Sequence, residues 1–185
     1  MRVIGGEFRS RRLVFPKTKQ TRPMTDRAKE TIFNILGETV SGSRVLDLFA
    51  GSGSMGIEAL SRGAVEAVFV EKNPWGHRSI RENLKSLGLE GRSRLIALDA
   101  TQAIRRLERE GENFQLIFLD PPYYQGFTKK ILNQLDQSDI LTPLTRLVVH
   151  YSRQEKLPEG LERLEVLREK RIGQACLTFL SGKRS

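Results

Sequence analysis

Asp120-Pro121-Pro122-Tyr123 is the segment of this sequence in which side chain and backbone can act together on a substrate. Two consecutive prolines fix the chain and remove two N–H donors, so the segment presents acceptors: the Asp120 carboxylate and the Pro121 carbonyl. An exocyclic base amine has two N–H donors and a lone pair delocalised into its ring. Held by both acceptors, that nitrogen can turn its lone pair toward an electrophile, and in-line attack on a sulfonium methyl becomes possible. Tyr123 offers a flat face for a base taken out of its helix. The amine is strongly acidic once methylated, so no tuned general base is required. The competing reading, a rigid turn or a proline-rich ligand motif, fits less well directly after the apolar run 114–119.

A second stretch, 45–56, joins the apolar Val45, Leu46, Leu48 and Phe49 to a turn containing Gly51, Gly53 and Gly56. Such glycines let the backbone turn tightly, approach a ligand and pack the next helix against a sheet. Glu71 stands twenty positions beyond Gly51, where a carboxylate accepts hydrogen bonds from ribose hydroxyls. This is a nucleotide-binding strand–turn–helix, and on pattern alone an NAD-type dinucleotide fits it as well as any other nucleotide.

The elements that must carry these groups alternate from residue 44 onward. Strands are expected at 44–49, 67–70, 94–98, 114–119 and 147–151, with helices at 54–62, 74–87, 101–110 and 128–137 between them. This argues for an α/β fold with a mostly parallel sheet and helices on both faces. Residues 164–172 and 175–180 around Gly173 read as a closing antiparallel hairpin. Before the first core strand, residues 2–15 read as two short strands around Gly5 and Gly6. Thr25 caps a helix that ends at Gly37. The organisation is thus an N-terminal ribbon and helix over 1–40 and a catalytic domain over 41–185.

With these strands, Asp47, Glu71, Asp99 and Asp120 each fall at or near the C-terminal end of one strand, the edge that forms the binding crevice of an open parallel sheet. Four acids on one rim repel a pyrophosphate, with a single helix N-terminus to offset them. They favour a cationic nucleoside such as S-adenosylmethionine, which carries a sulfonium and no phosphate. Each acid also has a structural reading, and for Asp99, just before Ala100 and Thr101, helix capping competes evenly with ligand binding.

The net charge is +9 with pI near 10.0. Residues 1–30 contribute six of those charges, with nine basic side chains, Lys29 among them, against three acidic ones. Interleaving of Arg9, Arg11 and Arg12 with Ile4, Phe8, Leu13 and Phe15 points to a folded basic ribbon that holds a polyanion. A solvated charged face is the plainer alternative. No apolar run matches a bilayer and the N-terminus lacks a signal-peptide core, so a soluble, cytoplasmic protein without a membrane partner is expected. The single cysteine, Cys176, reads as a small buried hydrophobe. His77 and His150 have no partner at metal-ligand spacing; no metal is expected, and both histidines read as structural or surface residues.

These residues resemble the class I S-adenosylmethionine-dependent methyltransferases that act on amino groups, and more closely the RsmD-type 16S rRNA guanine-N2 methyltransferases. The resemblance rests on three segments spread over almost the whole chain. They are Arg22-Pro23-Met24-Thr25-Asp26-Arg27 with 33–36, then 46–53 with 58–64, and Asp120-Pro121-Pro122-Tyr123. It implies a Rossmann-like fold with a seven-stranded sheet. It implies S-adenosylmethionine held by Asp47, Phe49, Gly51, Gly53, Glu71, Lys72, Asp99, Ala100 and Asp120. Within that set, Gly51 and Gly53 would pass under the methionine moiety, with Asp47 near its amino group. Glu71 would hold the ribose, and Asp99 the adenine amine beside Ala100. Asp120, Pro121 and Tyr123 would handle the target guanine, while Arg9, Arg11, Arg12, Arg22 and Arg27 would grip 16S rRNA. The substrate would be the small ribosomal subunit and the enzyme a monomer.

Two departures stand out: Met24 where a threonine is expected, and His150-Tyr151-Ser152 where many relatives carry an acid. No role is assigned to those three residues. A DNA adenine-N6 or cytosine-N4 methyltransferase is the neighbouring alternative, an NAD-dependent oxidoreductase the more distant one.

Overall fold

The computed structural model describes residues 1–15 and 24–183. Its centre is a seven-stranded sheet in the order β3-β2-β1-β4-β5-β7-β6. The strands are β1 (Arg44–Leu48), β2 (Glu66–Val70), β3 (Ser93–Ile96), β4 (Leu116–Leu119), β5 (Arg146–Ser152), β6 (Leu164–Ile172) and β7 (Ala175–Gly182). The first five pair in parallel, and β7 and β6 close the sheet antiparallel. Helices α1 (Asp26–Leu36), α2 (Ser54–Ser61) and α3 (Pro74–Leu87) cover one face, α4 (Ala100–Arg109) and α5 (Phe127–Asp136) the other. Because both faces are covered, the central strands read as near-continuous apolar runs. Within β1, Val45 and Asp47 turn toward α1–α3, while Leu46 and Leu48 turn toward α4 and α5.

The caps explain why the helices begin and end where they do. Thr25 Oγ1 accepts from Ala28 N, Asn73 with Pro74 starts α3, and Gly37 and Gly88 end α1 and α3 with positive φ. Strand ends differ slightly from expectation. β3 stops at Ile96 rather than 98, and β4 begins at Leu116 rather than 114, because Phe114 N donates to Ile140 O instead of to a neighbouring strand. No helix among the described residues is long and apolar enough to cross a membrane.

The two N-terminal strands expected over 2–15 shrink to a short antiparallel pairing, an Arg2–Arg12 bridge flanked by hydrogen bonds from Val3 N to Arg11 O, Ser10 N to Val3 O and Leu13 N to Met1 O. The reason is competition for donors. Ile4 N and Gly5 N donate to the Glu58 carboxylate on α2 at 2.9 and 2.8 Å, and Glu7 N and Phe8 N go to Ser61. The segment is therefore a strap fastened to α2. Further along, Asn83 on α3 exchanges two hydrogen bonds with Val14. Lys29, counted in the basic arm, is fully buried, with Nζ 3.2 Å from Glu58 Oε2 and 2.6 Å from the Arg2 carbonyl. Met24 joins the core with Val3 and Leu13.

Candidate active site

Strand order reverses between β1 and β4, so the crevice expected at an open parallel sheet opens between their C-terminal ends. β1 ends at Leu48, one residue earlier than expected, because Phe49 takes φ 70°. A bulky residue in the left-handed region is strained, and such strain is characteristic of ligand-facing turns. The Phe49 ring lies 5.7 Å from the Phe127 ring at the start of α5. Gly51 and Gly53 follow with positive φ, and a Cβ built on Gly51 would meet open space.

Glu71 fixes this turn from β2. Its two carboxylate oxygens accept from Gly51 N at 2.8 Å and Asn73 N at 2.7 Å. Gly76 leaves room for it: a Cβ there would come within 2.6 Å of Glu71 Cγ. The His77 ring hydrogen-bonds the Glu71 carbonyl, a structural role as expected. Lys72, exposed beside Glu71, sets Nζ 5.7 Å from the centre of the Phe127 ring.

Asp47 lies beneath the turn rather than on an open rim. It is 2% exposed, and Oδ2 accepts from Gly56 N at 3.0 Å. Burial pushes its carboxyl up to about 7; the Gly56 hydrogen bond opposes this, and the charges of Asp120 and Glu71 add to it. The structure thus brings Asp47, Glu71 and Asp120 into one electrostatic group. Asp99 has a structural task as well: its Oδ1 caps α4 by accepting from Gln102 N, with Ala100 buried as the first helical residue.

Asp120 is half-buried where β4 ends, followed by buried Pro121, exposed Pro122 and half-buried Tyr123. His150, expected to be without a role, is the group that organises this loop. Its Nδ1 lies 2.7 Å from Asp120 Oδ1, and its Nε2 lies 3.2 Å from the Tyr123 hydroxyl. Burial disfavours the charged imidazolium, but the Asp120 charge and hydrogen bond outweigh it and hold the imidazole pKa above the usual 6.5. The signal available in sequence was the same strand-end rule: β4 and β5 pair with Leu119 opposite Val149, which sets Asp120 beside His150.

Tyr124 follows Tyr123 in this loop. It is 66% exposed with φ 61°, its N–H donates to Glu155, and its hydroxyl accepts from Ser152.

Of the RNA-contact candidates, Arg9, Arg11, Arg12 and Arg27 are exposed, and Arg11 donates to the Ser86 carbonyl at 3.3 Å. Arg22 lies outside the described residues.

Residues 1–181 match the family described as conserved hypothetical protein 95. The chain belongs to this family. It is 33% identical over 176 residues to ribosomal RNA small subunit methyltransferase D of Escherichia coli strain K12, covering 95% of this chain and 87% of that one. YlbH of Bacillus subtilis is 38% identical over 173 residues, 94% of each chain. The solved structure of Escherichia coli yhhF superposes with a TM-score of 0.86 at 30% identity, covering 100% of this chain and 99% of that one. The RsmD-type resemblance and the Rossmann-like seven-stranded fold are thereby borne out.

The donor set also bears on the cofactor. Glu71 and the buried Asp47 carboxyl, its pKa raised, bind the glycine turn, Asp120 acts on Asp47 through its charge, and the hydroxyl of Ser54 at the start of α2 is buried without a partner among the described residues. This suits a ligand with a cationic centre and polar hydroxyls, and it does not suit a pyrophosphate.

Proposed function

We propose that the chain transfers a methyl group from S-adenosylmethionine to the exocyclic N2 amine of a guanine in 16S rRNA of the small ribosomal subunit. The observation that carries this reading is the coupling of Asp47, Glu71 and Asp120 at the β1–β4 switch point, a concentration of negative charge that a cation relieves. Bound there, S-adenosylmethionine supplies an electrophilic methyl on a sulfonium. Glu71 is the group for the ribose hydroxyls, and Gly51 and Gly53 allow close approach of the ligand. Phe49, Lys72, Asp99 and Ala100 complete the assigned cofactor set.

Asp120 and the Pro121 carbonyl accept the two N–H groups of the guanine amine and aim its lone pair. His150 donates to one Asp120 oxygen, so the carboxylate cannot rotate away, and it engages the Tyr123 hydroxyl at the same time. His150 is therefore a positioning residue in this scheme. Tyr123 flanks the base, and the product nitrogen releases its proton through the half-exposed Asp120 to solvent. Arg9, Arg11, Arg12, Arg22 and Arg27 hold the RNA. The name of the Escherichia coli relative supports small-subunit rRNA as the substrate. We take the enzyme to act as a cytoplasmic monomer.

The test is transfer of labelled methyl to small subunits from a strain lacking the gene, with the modified base mapped by mass. Asp120→Ala is expected to lower the rate by about 100- to 1,000-fold, the scale of losing one positioned charge acceptor. Thermal stabilisation by S-adenosylhomocysteine and not by NAD is expected; the reverse would defeat the reading.

A further inference from the structure

We propose that the outer face of α3 is a docking strip for single-stranded RNA that leads a strand to the crevice. This rests on the function proposed above and adds a surface to it. Arg78, Arg81 and Lys85 project from successive turns on the exposed side of α3, opposite its buried Ile80, Leu84 and Leu87. Glu82 is the single acid among them. Among the described residues none of the three cations forms an ion pair, whereas Arg44, Arg94 and Arg106 are each tied to glutamates. Charges without a carboxylate partner are the ones available to phosphates.

Trp75 makes the strip more than a solvated face. It is 63% exposed, the largest side chain in the sequence, and the second residue of a helix that begins directly after Glu71, Lys72 and Asn73. An indole at the crevice mouth is a stacking platform for an unpaired base, a contact that a duplex cannot offer.

The N-terminal strap supplies the second rail. Arg11 donates to Ser86 in the last turn of α3, and Val14 is bound to Asn83 one turn nearer the crevice. The strap therefore runs alongside α3 toward the same mouth, and its exposed arginines continue the cationic track. Between Trp75 and Lys85 the helix extends about 15 Å, room for several nucleotides.

The experiment measures filter binding of a single-stranded RNA oligomer and of a duplex of equal length over a salt series, with wild type, R78E/R81E/K85E and W75A. The neutral R78Q/R81Q/K85Q variant serves if the reversal fails to fold. Loss of three phosphate contacts is expected to flatten the salt slope for the single strand by about 2, since each contributes about 0.7. W75A is expected to weaken single-strand binding about fivefold or more, leaving salt slope and duplex binding unchanged.

Affinity for S-adenosylhomocysteine should stay at the wild-type value in all variants. A loss in W75A would assign the indole to the cofactor pocket and overturn the proposal. Variants that bind RNA like wild type, while wild type binds and methylates, would overturn the strip and leave the proposed function standing. A wild type that binds no RNA and transfers no methyl would remove both.

Discussion

Two buried carboxylates, Glu58 on α2 and Asp47 on β1, sit on the same face of the sheet and live in opposite environments. Glu58 is fully buried and saturated: Lys29 Nζ, Arg62 Nε, Ile4 N and Gly5 N all point at it. Asp47 is as deeply buried, receives one backbone hydrogen bond, and feels two further carboxylates. The first arrangement fastens the N-terminal strap and α1 to the body and leaves nothing for a ligand to supply. The second is a deficit of positive charge. Burial with every lone pair answered is structure, whereas burial beside like charges calls for a counter-charge from outside.

The sharpest way to break this contrast is to take one partner from each region. Lys29→Ala leaves Glu58 with fewer donors in a closed interior and is expected to cost about 3–5 kcal/mol in urea unfolding. The methyl-transfer rate of the protein that remains folded should stay near the wild-type value. An unchanged urea midpoint would show that the strap is not fastened through this pair.

In the crevice the expected change is in rate, not fold. His150→Leu removes the charged hydrogen bond to Asp120 and should lower kcat about 10- to 100-fold, with S-adenosylhomocysteine affinity near wild type. His150→Gln keeps a donor for Asp120 and an acceptor for Tyr123 without a titrating charge. In wild type, imidazolium below the raised pKa neutralises Asp120, so activity rises as pH rises through that pKa; the glutamine variant should retain activity and lose this acid limb. The pair's stability contribution runs the other way, fully present below the ordinary 6.5 and lost as pH rises through the raised value. A limb that persists in His150→Gln would assign it to another group.

Asp47 offers a finer measure. Its carboxyl binds a proton more tightly folded, at about 7, than unfolded, at 3.8, so the folded state loses stability as pH rises through that window. Asp47→Asn still accepts from Gly56 N and carries no charge. Its melting temperature should exceed that of wild type by about 3 °C or more at pH 8, with the gap shrinking by pH 5. A gap independent of pH would mean that the carboxyl is not destabilised by its neighbours.

The smallest effect belongs to the strap's surface. R11E/R12E is expected to weaken RNA binding by about three- to tenfold at 0.1 M salt and to leave cofactor affinity alone. Equal loss of both would make these arginines part of the fold.

Most of the α/β frame was legible because its signals are local. Apolar runs of strand length, Thr25, Asn73-Pro74 and the glycines at 37, 51, 53 and 88 act within a few residues, through sterics and caps that need no distant partner. The acids at strand ends were legible for the same reason, since a strand's C-terminal end is marked by where its apolar run stops. What each acid does was not. Asp99 became a cap and Asp47 sank beneath the turn, because side-chain burial depends on which helix docks above.

The sequence by itself determined a parallel sheet with a glycine turn, acids at its strand ends and an Asp-Pro-Pro-Tyr loop, because periodicity, proline and glycine act on the chain locally. Tertiary structure alone decided that His150 meets Asp120 across the β4–β5 register, and that Lys29 is spent on Glu58 instead of phosphate. Both are contacts between residues about thirty positions apart, and their energies arise when strand register and helix docking exclude water from the pair.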